Sequence, residues 1–120
     1  MAKDWSDAEL IVLIFWISRG VYHETCAHLI NQKCGQSRTI VGLRDRLRRL
    51  REGFPEIGHH NHWNIEAVDN WVQSRGLGRM EVEQLVSYTE EAQRIIAEHQ
   101  NENDIREIYQ QYPLQEDSRG

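Results

Sequence analysis

SDAELIVLIFWIS, residues Ser6 to Ser18, is the stretch on which the fold turns. Its central run LIVLIFWI, Leu10 to Ile17, holds eight uninterrupted apolar residues and would suit a buried strand as well as a buried helix. The residues ahead of it decide. SDAE has the capping-box spacing, in which the serine side chain accepts from the third backbone N–H while Glu9 reaches back to the cap. A helix is therefore expected from Ser6 to about Ser18, stopping before Gly20, with Leu10, Leu13, Ile14 and Ile17 at buried-stripe spacing. Ile11, Val12, Phe15 and Trp16 make the other faces apolar too. Such a helix must be covered on more than one side, so a minimal bundle is not enough. Eight apolar residues also fall far short of the roughly 20 needed to span a bilayer.

Outward from this helix the chain reads as helices throughout. A second is expected over about His23 to Gln32, with Cys26, Ala27, Leu29 and Ile30 inward, then a turn at CGQS. Thr39 is the candidate N-cap of a third, ending at Gly53 ahead of Phe54 and Pro55, with Ile40, Leu43, Leu47 and Leu50 as its apolar stripe. After the polar loop EIGHHNH, Asn64 can cap a fourth, in which Ile65, Val68, Trp71 and Val72 face inward and Gly76 ends the element. One long helix is expected from about Arg79 to His99, with Val82, Leu85, Thr89, Ala92 and Ile96 on one face. A last follows from Asp104, through Ile105, Ile108 and Tyr112. No strand alternation stands out, and the fold class is all-α. The expected organisation is a three-helix unit over 1–53, a helical extension packing on it over 54–112, and a frayed tail over 113–120.

The 39% hydrophobic and 28% charged content fits a folded globular chain of 120 residues. The start, MAKDWSDAE, carries acids and a tryptophan where a secretory signal needs a basic and then an apolar region, so an intracellular protein is expected. Cys26 and Cys34 are the only cysteines and read as reduced thiols. No GxSxG, Walker loop, GxGxxG or HExxH occurs, and GLG at Gly76 to Gly78 is a helix stop. Cys26 beside His23 or His28 lacks the third, orienting group of a nucleophilic site. An enzyme is not expected, nor any cofactor. His59, His60 and His62 cluster in HHNHW, with His23, His28 and His99 elsewhere, but no CxxC or HxxxH pair announces zinc. A solvated histidine-rich loop with no metal is the expectation.

Charge is the uneven feature. Residues 33–51 hold Lys33, Arg38, Arg44, Arg46, Arg48, Arg49 and Arg51 against Asp45 alone, net +6, whereas the rest carries seven bases and eighteen acids, net −11. Two explanations compete: a solvated helix face whose arginines pair with the acidic C-terminal helices, or a footprint for phosphates.

The order of elements bears on that choice. DWSDAEL with Trp5, Asp7 and Glu9, followed by RGVYHETCAHLINQKCGQSRTIVGLRDRLRRLR, resembles the fungal Myb/SANT-like domains over roughly Asp4 to Arg51. Unlike repeat-type Myb sequences, this one has Trp16 inside the first helix and no tryptophan in the third. The resemblance implies three helices built on a helix-turn-helix, whose third helix enters the major groove. It implies base contacts from Val41, Arg44, Asp45 and Arg48, and phosphate contacts from Lys33, Arg38, Arg46, Arg49 and Arg51. It implies a nuclear DNA-binding or chromatin-associated regulator of transcription. SANT members use the same fold to hold proteins, so the alternative implied is docking of a chromatin protein or histone tail. Ten acids against three bases from Glu81 to Gly120 set the C-terminal helices apart, and their apolar seam suits packing on the first helix or pairing of two copies as a homodimer.

Overall fold

A computed structural model describes residues 4–59 and 62–114. These form seven α-helices: α1 (Asp7–Ser18), α2 (His23–Cys34), α3 (Ile40–Gly53), α4 (Ile65–Gln73), α5 (Arg79–Val86), α6 (Glu90–His99) and α7 (Glu102–Gln111). No helix among the described residues is long and apolar enough to cross a membrane. The expected tail falls almost entirely outside the described residues.

The capping box at the head of α1 is formed. Glu9 N–H donates to Ser6 Oγ at 3.2 Å, and Ser6 N–H donates to Glu9 Oε1 at 3.1 Å. The helix ends at Gly20, whose φ of +97° is costly for a side chain and whose Cβ would meet Ile108 at 3.2 Å. Between these ends, Ile11 to Trp16 are all fully buried. α1 is the axis of the domain: α2 and α3 pack on it from one part of the chain, α4 and α5 from the other. The leftover apolar surface is thus covered within one chain. Trp16 anchors the arrangement, stacking on Tyr109 at 5.7 Å, meeting Phe15 edge-on at 5.1 Å and donating its indole N–H to Leu85 O at 3.1 Å.

The long helix expected over Arg79 to His99 is two helices, α5 and α6, broken at Ser87 to Thr89. Two causes act together. Thr89 caps α6, its hydroxyl accepting from Ala92 N–H, with Glu90 and Glu91 in the favourable first turn. The carbonyls that α5 leaves unpaired are meanwhile taken by distant side chains. Lys33 Nζ donates to Gln84 O and Ser87 O at 3.0 and 3.1 Å, Trp16 to Leu85 O, and Tyr109 Oη to Val86 O at 3.1 Å.

The polar loop after α3 is also more ordered than its composition suggests. It contains a 3₁₀ turn (Pro55–Ile57) and an antiparallel hairpin of two residues per strand, β1 (Gly58–His59) and β2 (His62–Trp63), the one sheet among the described residues. Strand pairing this short has no room for a period-two pattern. His60 and the side chain of His59 lie outside what is described, and His62 is exposed.

A second tie is wholly polar. Arg19, at the end of α1, donates through Nη2 to both carboxylate oxygens of Asp69 on α4 at 2.9 and 3.0 Å, and through Nε to Tyr112 O at 2.9 Å beyond α7. Both side chains are essentially unexposed, and the guanidinium lies over the Phe15 ring at 3.8 Å. Burial pulls the Arg19 pKa down, and Asp69 opposes that shift. Cys26 and Cys34 are both reduced, Cys26 fully buried beside Val12 O.

Candidate nucleic-acid interface

α3 starts at Thr39, whose hydroxyl accepts from Gly42 N–H at 3.0 Å, and turns Leu43, Leu47 and Leu50 into the core. Ile40, expected in that stripe, is 39% exposed at the first residue of the helix. Val41 is 78% exposed, and the outward face continues through Arg44, Arg48 and Arg49.

The partners of these arginines are local. Asp45 accepts from Arg48 at 2.7 Å and pairs with Arg49 at 3.0 Å, and Arg48 also reaches Glu52 at 3.2 Å. The hydrogen bond from Arg48 holds the Asp45 carboxyl below the ordinary carboxylate range, with Arg49 adding to it. Arg48 and Arg49 remain 61% exposed, so these pairs orient the guanidinium groups without withdrawing them from solvent. Arg44 and Arg46 have no ion pair among the described residues. The acids of α5 and α6 do not reach the helix: Glu91 pairs with Arg94 in its own helix.

Arg51 behaves differently. Its guanidinium stacks on Trp63 of β2 at 3.9 Å, and its Nε is buried without a hydrogen-bond partner. Burial lowers its pKa, though a guanidinium stays charged. Arg44, Arg48 and Arg51 line one groove with His23, Leu47, Pro55 and Gly58, and with the acid Glu52 at its rim. Burial and then the positive charges of Arg44 and Arg51 depress the His23 pKa. The hairpin shapes its far wall, since a Cβ on Gly58 would come within 2.8 Å of His62 O.

Two residues of the expected phosphate-binding set are used inside the fold. Lys33 caps α5, as above, and is half-buried with its pKa lowered by that burial. Arg38 forks onto Glu9, Nε to Oε2 at 2.6 Å and Nη2 to Oε1 at 3.0 Å, and lies over Trp5 at 4.6 Å. Its side chain is 9% exposed. Burial opposes ionisation of Glu9, but Arg38 and the Ser6 N–H together hold its carboxyl below the usual range. Both cations are therefore engaged within the fold, Lys33 at the end of a helix and Arg38 at a buried carboxylate. His23 and Trp63 enter the interface. No periodicity or motif points to either, since they join the groove only once α2 and the hairpin flank α3.

Scans against protein-family models, curated proteins and solved structures give no match.

Proposed function

We propose that this chain is a DNA-binding module of Myb/SANT-like, helix-turn-helix type, with α1 to α3 as the binding unit and α3 as the recognition helix in the major groove. The observation that carries the reading is the exposed face of Val41, Arg44, Arg48 and Arg49, with the half-buried Arg46 and Arg51 on its two flanks, which the acids of α5 and α6 leave uncovered.

Within this reading Arg44 and Arg48 read base edges, and a bidentate arginine on guanine is worth about 1–3 kcal/mol of discrimination. Val41 supplies the apolar contact that a thymine methyl prefers. Asp45 sets the rotamers of Arg48 and Arg49 and accepts from a cytosine amine where one is in reach. Arg46, Arg49 and Arg51 grip phosphates, which fixes register without specifying sequence. The protein acts in the nucleus, as a regulator of transcription or chromatin.

Docking of a basic histone tail on the acidic surface of α5 and α6 is the competing reading, favoured by the exposure of Glu81, Glu83, Glu90 and Glu91. Fluorescence anisotropy on mixed-sequence duplexes separates the two. Arg49→Ala should weaken binding to all duplexes alike, and Arg48→Ala should relax preference at one base position. A folded chain that is silent toward duplex DNA at about 50 mM salt, yet binds a basic peptide, would replace the first reading with the second.

A further inference from the structure

On the side of α2 away from the arginine groove, Glu24 and His28 stand one helical turn apart, and His99, the last residue of α6, comes to meet them. The imidazoles of His28 and His99 lie face to face, centroids 4.2 Å apart and planes 8° from parallel. His99 Nδ1 is 4.0 Å from Glu24 Oε1. One donor atom from each of the three residues falls within 4.8 Å of the other two. Neither imidazole has a hydrogen bond among the described residues, so both rings keep lone pairs to give. The backbone on each side is fixed: Gln100, next to His99, accepts from Tyr22 N–H at 2.8 Å and donates to Gly20 O at 3.2 Å.

We propose that Glu24, His28 and His99 form a binding site for a divalent transition-metal ion, zinc above all, that clamps α6 to α2. Two imidazoles and one carboxylate are a nitrogen-rich donor set that suits zinc, cobalt or nickel, whereas magnesium and calcium prefer oxygen throughout. Zinc bonds of about 2.0–2.1 Å put tetrahedral donors about 3.3 Å apart, so the widest separation must close by about 1.5 Å. Rotation of the exposed Glu24 and His28 side chains toward the half-buried His99 supplies that movement without shifting backbone. Three protein ligands leave a fourth position for water. An ion there replaces the weak contact between two stacked rings with bonds between α2 and α6. Because its residues are separate from the arginine face, the site stands or falls independently of DNA binding.

The experiment is titration of the full, tag-free chain with zinc chloride, followed by thermal denaturation, and with cobalt chloride, followed by visible absorption. The expected result is one equivalent of metal bound, a melting temperature that rises with zinc concentration, and a cobalt spectrum of tetrahedral type. Binding should weaken as the pH falls, because protons compete with the metal for the ligand nitrogens. Loss even of residues supporting a metal ligand costs about 10–100-fold in affinity, so His28→Ala and His99→Ala should each lose at least about tenfold. Simultaneous replacement of His59, His60 and His62 by Ala should leave affinity unchanged. Should either single variant misfold, cobalt-induced shifts of the His28 and His99 imidazole resonances in the parent chain give the same answer. Absence of binding, or binding that survives both single variants and disappears with the loop triple, overturns the proposal.

Discussion

Replacing Lys33 with Met keeps an unbranched stem of similar reach and deletes only the ammonium group. That group donates at 3.0 and 3.1 Å to two carbonyls at the end of α5, where a cation also favours the helix dipole. A hydrogen bond to a charged group contributes about 1.5–3 kcal/mol net, and a cation at a helix C-terminus about 0.3–1 kcal/mol. Two things lower the sum. Burial already depresses the Lys33 pKa, so the ammonium carries a desolvation cost. Gln84 is exposed, so water can take over its carbonyl in the variant. A net loss of about 1–2 kcal/mol follows, or a fall in melting temperature of about 4–8 °C for a domain of this size. Urea and thermal denaturation measure it, with the urea slope unchanged because the surface exposed on unfolding is the same. Duplex binding by the same variant should keep the parent salt dependence. A variant as stable as the parent whose salt slope drops by about 0.9 would restore Lys33 as a phosphate contact and refute the reasoning.

Arg19→Ala removes the guanidinium that donates to both oxygens of the buried Asp69 carboxylate and should cost about 3–5 kcal/mol, whereas Arg19→Met combined with Asp69→Leu should recover much of that loss; equal denaturation midpoints for the two would contradict it. Glu9 has a folded-state pKa below its unfolded value, so the stability it contributes is complete above about pH 4.5 and drains away as the pH falls through the lower, folded value. Glu9→Gln should therefore flatten the acid limb of a stability-against-pH curve, and an unchanged limb would remove Glu9 from that role. His23 has its pKa depressed by burial and then by Arg44 and Arg51, so a phosphate settling between those arginines should raise it. Imidazole titration by NMR with and without duplex reads the shift, and a His23 curve indifferent to DNA would place the ligand elsewhere.

The parts of this fold that were legible in the sequence are those set by local chemistry. Ser6, Thr39 and Asn64 each cap a helix because the acceptor and the N–H it serves are three residues apart, a distance the chain itself displays. Leu43, Leu47 and Leu50 face inward because one helical period fixes them together. What escaped depends on partners far along the chain. The break between α5 and α6 is held by Trp16, Lys33 and Tyr109, although Thr89 followed by two glutamates was a local cap signal that could have marked it. Counting charge put Lys33 and Arg38 with the other bases, because a count does not reveal that Gln84, Ser87 and Glu9 claim them first. The meeting of Arg51 with Trp63 needs a hairpin too short to show a pattern, and that of His28 with His99 needs α6 laid along α2.

The central claim is that the α3 arginines meet phosphates, and the salt dependence of duplex binding tests it most directly. Each phosphate neutralised contributes about −0.9 to the slope of log K against log salt concentration. With Lys33 and Arg38 withdrawn, Arg46, Arg49 and Arg51 give about −2.7, and Arg44 and Arg48 extend this toward about −4.5 where they also touch backbone. A slope between about −2.7 and −4.5, reduced by about one unit in Arg49→Ala and unaltered in Lys33→Met, is the result expected. A slope near zero, or no detectable complex at about 50 mM salt with the helical fold intact, would contradict it.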